Sequence, residues 1–190
     1  MLLELARFID PGNQLPRKFS LPLNSALSEA MVNVRMHAYP DNYRFQFKHI
    51  DRWWITGSAD RVSRTITIAI YDQGASIPVT FARLNAREAA RAYIEQSIRK
   101  VSDHPFQQDG IHIEAAMKYG RSQSGLTQRG KGLPQMQEAI DVIGNGRLVI
   151  LSRGGAYIYE DGRSELRTFR YSVGGTLIQW SLQVPRLEVA

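Results

Sequence analysis

The sequence predicts a two-layer α/β sandwich, with helices covering one face of a mixed, mostly antiparallel sheet. Three observations carry that expectation. Apolar residues recur at helical spacing at Leu27, Ala30, Met31, Val34 and Ala38, and again at Leu133, Met136, Ile140 and Ile143. Ile66, Ile68 and Ile70 alternate with Thr65, Thr67 and Ala69, the pattern of a half-buried strand. The last third of the chain holds four strand-like runs, residues 147–152, 156–160, 166–171 and 176–184. These are divided by Gly154-Gly155, Asp161-Gly162 and Gly174-Gly175, residues suited to tight turns. Helical patterns interleaved with a meander of this kind bury their apolar faces best as two layers.

Taken in order, the elements follow from local chemistry. Residues 1–22 read as an N-terminal extension, an apolar start followed by PGNQLPRKFSLP, whose prolines and glycine argue against a long helix. Asn24 or Ser25 can cap the helix that follows, and Pro40 ends it. Residues 52–58 and 64–71 are strand-like, and the second run closes in YDQGAS, where Gly74 marks a sharp turn. A helix is expected over 82–101, broken by DHPFQQDG, with a short helix over 111–119. GRSQSGLTQRGKG is polar and glycine-rich, which predicts a mobile loop. No repeat or linker divides the chain, so one domain over 1–190 is expected, large enough to bury roughly 70% of its unfolded surface.

Composition excludes several classes of function. With 43% hydrophobic and 22% charged residues, the chain is ordinary for a soluble protein. Without cysteine there are no disulfides, no thiol nucleophile and no zinc–thiolate site. No run approaches the roughly 20 apolar residues that cross a bilayer, and MLLELARFID lacks the features of a signal peptide. The expectation is a cytoplasmic protein with no membrane contact. Its 24 basic and 18 acidic residues give a formal charge of +6, but the basic residues are scattered and interleave with no aromatic motif. That argues against nucleic acid as the partner.

Three segments carry chemistry. In ALSEAMVNVRMHAYP, Glu29, Asn33 and His37 stand four apart and form one stripe of a helix, along the edge of its apolar face. A carboxylate, an amide and an imidazole there can supply a base, a metal ligand and a polar contact; chance spacing on an amphipathic helix would look the same. Asp72-Gln73-Gly74-Ala75-Ser76 follows a strand. Its aspartate can accept a hydrogen bond from an amine, and Gly74 lets the backbone turn and a flat ring approach. The third is Arg129-Gly130-Lys131-Gly132-Leu133, opening a helix at Pro134. Backbone N–H groups of such a loop, with Arg129 and Lys131, can hold an anion. Residues 125–131 also spell the start of a P-loop, but Gly132 stands where the metal-binding hydroxyl should be, and no buried strand precedes it.

In this order and spacing, the segments resemble the GHKL ATPase superfamily (gyrase, histidine kinases, MutL and relatives), also called the Bergerat fold. SEAMVNVRMHAYP is similar to its N box, YDQGASIP to its first glycine box, and GLTQRGKGL to its second, with GGTLIQWSL like its closing strand. The resemblance implies ATP and Mg²⁺. It implies that Asn33 coordinates Mg²⁺, that His37 belongs to the ATP site, and that Asp72 binds the adenine amine with Gly74 making room. Gly130 and Gly132 would wrap the phosphates, with Arg129 and Lys131 beside them, Thr176 near the adenine, and residues 107–132 as lid and phosphate loop. Glu29 would be the general base. Ser76 departs from the family, which often has a second glycine there.

Within the superfamily, SEAxxNxxxHAY looks most like the stand-alone anti-sigma-factor serine kinases. That implies phosphate transfer to a Ser or Thr of a regulatory partner protein. The stretch before the N box is too short for a phosphoacceptor hairpin, and His49, His104 and His112 lack a phosphoacceptor setting. The long segment 81–124 is expected to bind a partner or form a homodimer contact. A slow ATPase switch and a catalytically inert nucleotide-binding module are the alternatives.

Overall fold

The computed structural model describes residues 1–9, 11, 17–45, 48–83, 88–98, 104–120 and 132–184. Six strands form one sheet: β1 (Trp53–Asp60), β2 (Thr65–Asp72), β3 (Gly146–Ser152), β4 (Gly155–Glu160), β5 (Arg163–Thr168) and β6 (Thr176–Gln183). Their order across the sheet is β1-β2-β6-β3-β4-β5. Every neighbouring pair runs antiparallel, so the sheet is not the mixed one expected. The predicted two-layer architecture holds, with α1 (Leu2–Ile9), α2 (Arg17–Asn33), α3 (Ile77–Arg83), α4 (Glu88–Ser97), α5 (Asp109–Tyr119) and α6 (Pro134–Ile143) packed against the sheet. None of the helices described is long and apolar enough to cross a membrane.

The core lies between that sheet and its helices. Ile66, Ile68, Ile70, Leu148, Ile150, Ile178, Trp180 and Leu182 all point into it and are buried, as strand alternation requires. The Trp180 indole N–H donates to the Met136 carbonyl at 3.1 Å, and the Tyr157 hydroxyl donates to Gln137 Oε1 at 2.7 Å; both tie the sheet to α6.

Several elements differ from expectation. Residues 2–9 are no appendage: Leu2, Ala6 and Ile9 are buried, and α1 lies so close to β1 that a Cβ on Gly57 would come within 2.8 Å of the Leu5 side chain. The helix expected to start near Asn24 begins at Arg17 and runs through Pro22. A helical proline costs about 3 kcal/mol. Buried Phe19, Leu23 and Leu27 each return about 1.5–3 kcal/mol, so packing wins. The single helix expected over 82–101 is two, α3 and α4, and α3 starts as soon as the DQGAS turn ends. The fifth strand sits three residues earlier than predicted. The Asp161-Gly162 turn, with φ of 51° and 73°, pairs Glu160 with Arg163 and leaves Phe169 and Tyr171 exposed beyond the strand.

Candidate functional site

The sheet register builds one wall of a cleft. Asp72, the last residue of β2, pairs with Thr176 of β6, which pairs in turn with Ser152 at the end of β3. All three are buried and form a polar row where the core ends. The Asp72 carboxylate accepts the Gly74 N–H at 2.8 Å and also the Thr176 N–H. Burial outweighs these bonds and pushes its carboxyl from the ordinary 3.8 up to about 6. Ser152 Oγ accepts the Ile77 N–H at 2.8 Å, at the start of α3, and lies 2.8 Å from Thr176 Oγ1. Three elements thereby fix the Thr176 hydroxyl. Ser152 was not among the expected site residues. Its signal was present, a polar side chain at the inward parity of Leu148 and Ile150.

The opposite wall comes from α2 and the π-helical turn that continues it, Val34–Ala38. Such wide turns are rare and often fall at functional sites. Here the turn carries His37, and both Asn33 and His37 line the cleft opposite Asp72, Ser76 and Thr176. Burial lowers the His37 pKa, so near neutrality the ring is an uncharged hydrogen-bonding group. Asn33 Nδ2 is enclosed and meets no acceptor in bonding geometry among the described residues. Even so, the Asn33 amide lies near enough to Glu29 to offset part of the rise that burial gives that carboxyl. Glu29 itself is buried one turn back on α2 and is not part of the cleft lining. Ile77, Phe81, Leu133 and Ile178 supply apolar surface, and the slot is narrow, about 70 Å³.

The DQGAS turn is held against the π-helical segment by the Ala75 N–H, which donates to the Ala38 carbonyl at 2.8 Å. A Cβ on Gly74 would lie 2.5 Å from Ala38 Cβ and 2.7 Å from Asp72 Oδ1, so this glycine is needed for close packing of the turn and does not itself face the slot. Ser76 has φ of 77°, a backbone suited to glycine, and its buried hydroxyl has no partner among the described residues. Ser76→Gly is therefore expected to stabilise the protein. Relief of the left-handed backbone and of an unsatisfied hydroxyl, about 1–2 kcal/mol each, exceeds the roughly 1 kcal/mol lost to a freer unfolded chain. A melting temperature raised by about 2 °C or more would show it, and a lowered one would refute it.

Arg129, Gly130 and Lys131 lie outside the described residues, as does most of the loop before them. Gly132 is buried with φ of 78°, and its carbonyl accepts the Gln135 N–H at 2.9 Å as α6 begins. Residues 109–119, expected within a lid, form instead the core helix α5, with Ile113, Ala115, Ala116 and Met117 buried. Among the described residues, no three acidic or histidine side chains gather as a metal site. A divalent cation here would have one amide, that of Asn33, as its protein ligand in the slot, with other oxygens coming from a ligand and water. No protein-family model matches the chain, and no curated protein matches it in sequence.

Proposed function

We propose that the chain is a Mg²⁺-ATP-binding domain of the GHKL type that acts in regulation in the cytoplasm, transferring phosphate to a Ser or Thr of a partner protein. The observation that supports this most is the convergence of Asn33 and His37 from one helix with Asp72, Ser76 and Thr176 from the sheet end around one slot. These residues lie far apart in sequence, in three of the segments whose resemblance implies a nucleotide site. The Asp72 carboxylate would accept the exocyclic amine of adenine, a neutral donor that satisfies a buried anion. Thr176, fixed by Ser152, would set the edge of the ring, and Ile77, Phe81 and Ile178 would lie against its faces.

A cavity of about 150 Å³ is needed to take even benzene, so the slot must widen for a purine. Half-buried Leu133, next to Gly132, is the part of the wall placed to yield. The amide oxygen of Asn33 would face the phosphates and their Mg²⁺, which neutralises phosphate charge when bound. Glu29, its carboxyl raised by burial, would take the proton from the attacking hydroxyl.

Calorimetric titration with ATP, with and without Mg²⁺, tests the reading. Wild-type protein should bind in a Mg²⁺-dependent way, and Asn33→Ala should abolish that dependence. Absence of binding, or unchanged affinity in the variant, would refute the assignment. The position of Glu29 outside the slot lining favours a second reading, an ATP-driven switch that acts on its partner without phosphorylating it. Labelled ATP separates the two: label on the partner marks a kinase, and released phosphate alone marks the switch.

A further inference from the structure

A second cleft lies on the other side of the DQGAS turn and of α3. Its cavity of about 510 Å³ falls in the range of small-molecule sites. Ser76 borders both clefts, and α3 is the partition: Val79 faces the second cleft, while Thr80 and Phe81 face the first. The end of β2 contributes Tyr71, and the connections at this end of the sheet contribute Tyr43, Phe45, Lys48, Phe106 and Arg153. No aspartate or glutamate is among the described residues that line it. The composition is a set of ring faces with two positive charges.

The rings and one charge are held in place. Tyr43 and Phe45 pack edge to face with centroids 4.7 Å apart, and Tyr71 stacks on Trp54 at 5.9 Å. The Tyr71 hydroxyl donates to the Val173 carbonyl at 3.2 Å, which fixes the ring at the cleft wall. The Arg153 guanidinium lies 5.1 Å from the Phe106 ring centre and 3.5 Å from Asp109 Oδ1. Its backbone has φ of 57°, in the left-handed region. That conformation is held by two bonds, Arg153 N–H to the Gly175 carbonyl at 3.0 Å and Val173 N–H to the Arg153 carbonyl at 2.8 Å. Arg153 and Gly154 form the two-residue turn between β3 and β4, whose first position takes a positive φ, and that turn sets Arg153 at the cleft wall.

We propose that this second cleft binds a small planar aromatic anion, whose ring stacks among Tyr43, Phe45 and Tyr71 while its charged group meets Lys48 and Arg153. Aromatic faces take the ring, Lys48 supplies a charge-assisted bond, and Arg153, shared with Asp109, adds positive charge beside it. The site does not depend on nucleotide binding in the first cleft, because its lining apart from Ser76 is separate.

The probe is 2-naphthoate, titrated into the full chain and followed by amide NMR. Saturable binding should shift signals at Tyr71, Val79 and Gly174, and leave Leu133 and Ile178 in place. Lys48→Gln, a change at an exposed residue that should not disturb folding, is expected to weaken it about tenfold, as is the neutral analogue 2-naphthamide. Cyclohexanecarboxylate, an anion without a ring face, should bind at least as weakly. Absence of saturable binding, equal affinity for naphthoate and naphthamide, indifference to Lys48→Gln, or shifts centred on the first cleft would each overturn the proposal. These readouts need no ATP, so their failure is distinct from failure of the nucleotide reading.

Discussion

Asp72→Asn should weaken adenine-nucleotide binding about 10²-fold or more while making the free protein more stable at neutral pH. Both effects arise from one buried carboxylate at the end of β2. In the free protein its charge is held by two backbone N–H groups, which do not offset the cost of burial. A shift from 3.8 to about 6 corresponds to about 3 kcal/mol held against the ionised form. Asparagine removes that charge but gives up one of the two N–H bonds, worth about 1–2 kcal/mol, so a net gain of about 1–2 kcal/mol is expected. A ligand amine reverses the balance. It finds an anionic acceptor in the wild type, whereas the variant's amide must either turn its own N–H₂ toward the amine or leave a backbone donor unpaired. Denaturant unfolding and calorimetric titration read the two halves. A variant that binds ATP as wild type does would remove Asp72 from the site.

The same carboxyl sets a pH dependence. Its proton is held more tightly in the folded state than in the unfolded chain, so the folded state is the better proton acceptor between about 4 and 6. Its contribution to stability is fully present below about 4 and is lost as pH rises through about 6. Nucleotide affinity runs the opposite way, because the acceptor is the ionised form. Binding should therefore weaken as pH falls through about 6, and in Asp72→Asn that dependence should be absent.

The parts of this site legible in the sequence were those governed by period and parity. Alternation at Ile66, Ile68 and Ile70 fixes which way Asp72 points, and Ile178, Trp180 and Leu182 do the same for Thr176. The two therefore meet across the sheet once β2 and β6 are neighbours. That neighbour relation is long-range and has no local signal, so Ser152, the third member of the row, was not foreseen. Pro22 misled for a related reason. A local penalty of one hydrogen bond is visible in the sequence, while the burial of Phe19 and Leu23 that outweighs it depends on tertiary packing. The π-helical turn at Val34–Ala38 was equally hidden, since Glu29, Asn33 and His37 are spaced for an ordinary helix. Asn33 and His37 still reach the slot, and Glu29 is left one turn behind. Ser76 was visible as a departure, but its glycine-like backbone was not. Its φ of 77° lies where glycine is favoured.

Glu29 is where kinase and switch part, and Glu29→Gln gives the second large effect. If this carboxylate is the base, the variant should bind Mg²⁺-ATP as the wild type does yet turn it over roughly 10²-fold or more slowly. Its burial favours the role energetically. A carboxyl raised above its ordinary value is a stronger base once ionised, and the neighbouring Asn33 amide offsets part of that rise. The sign of the pH effect follows. Turnover should fall as pH drops through the raised pKa, and the glutamine variant should lose that limb of the profile while keeping the limb due to nucleotide binding. Geometry asks more of the role, because the carboxylate must reach the attacking oxygen from outside the present slot lining, and widening of the slot on ligand entry is the change that would bring it within reach. Single-turnover measurements at saturating ATP separate the chemical step from binding. Wild-type rates in Glu29→Gln would leave Glu29 as a buried neighbour that positions Asn33, and would move the balance to the switch.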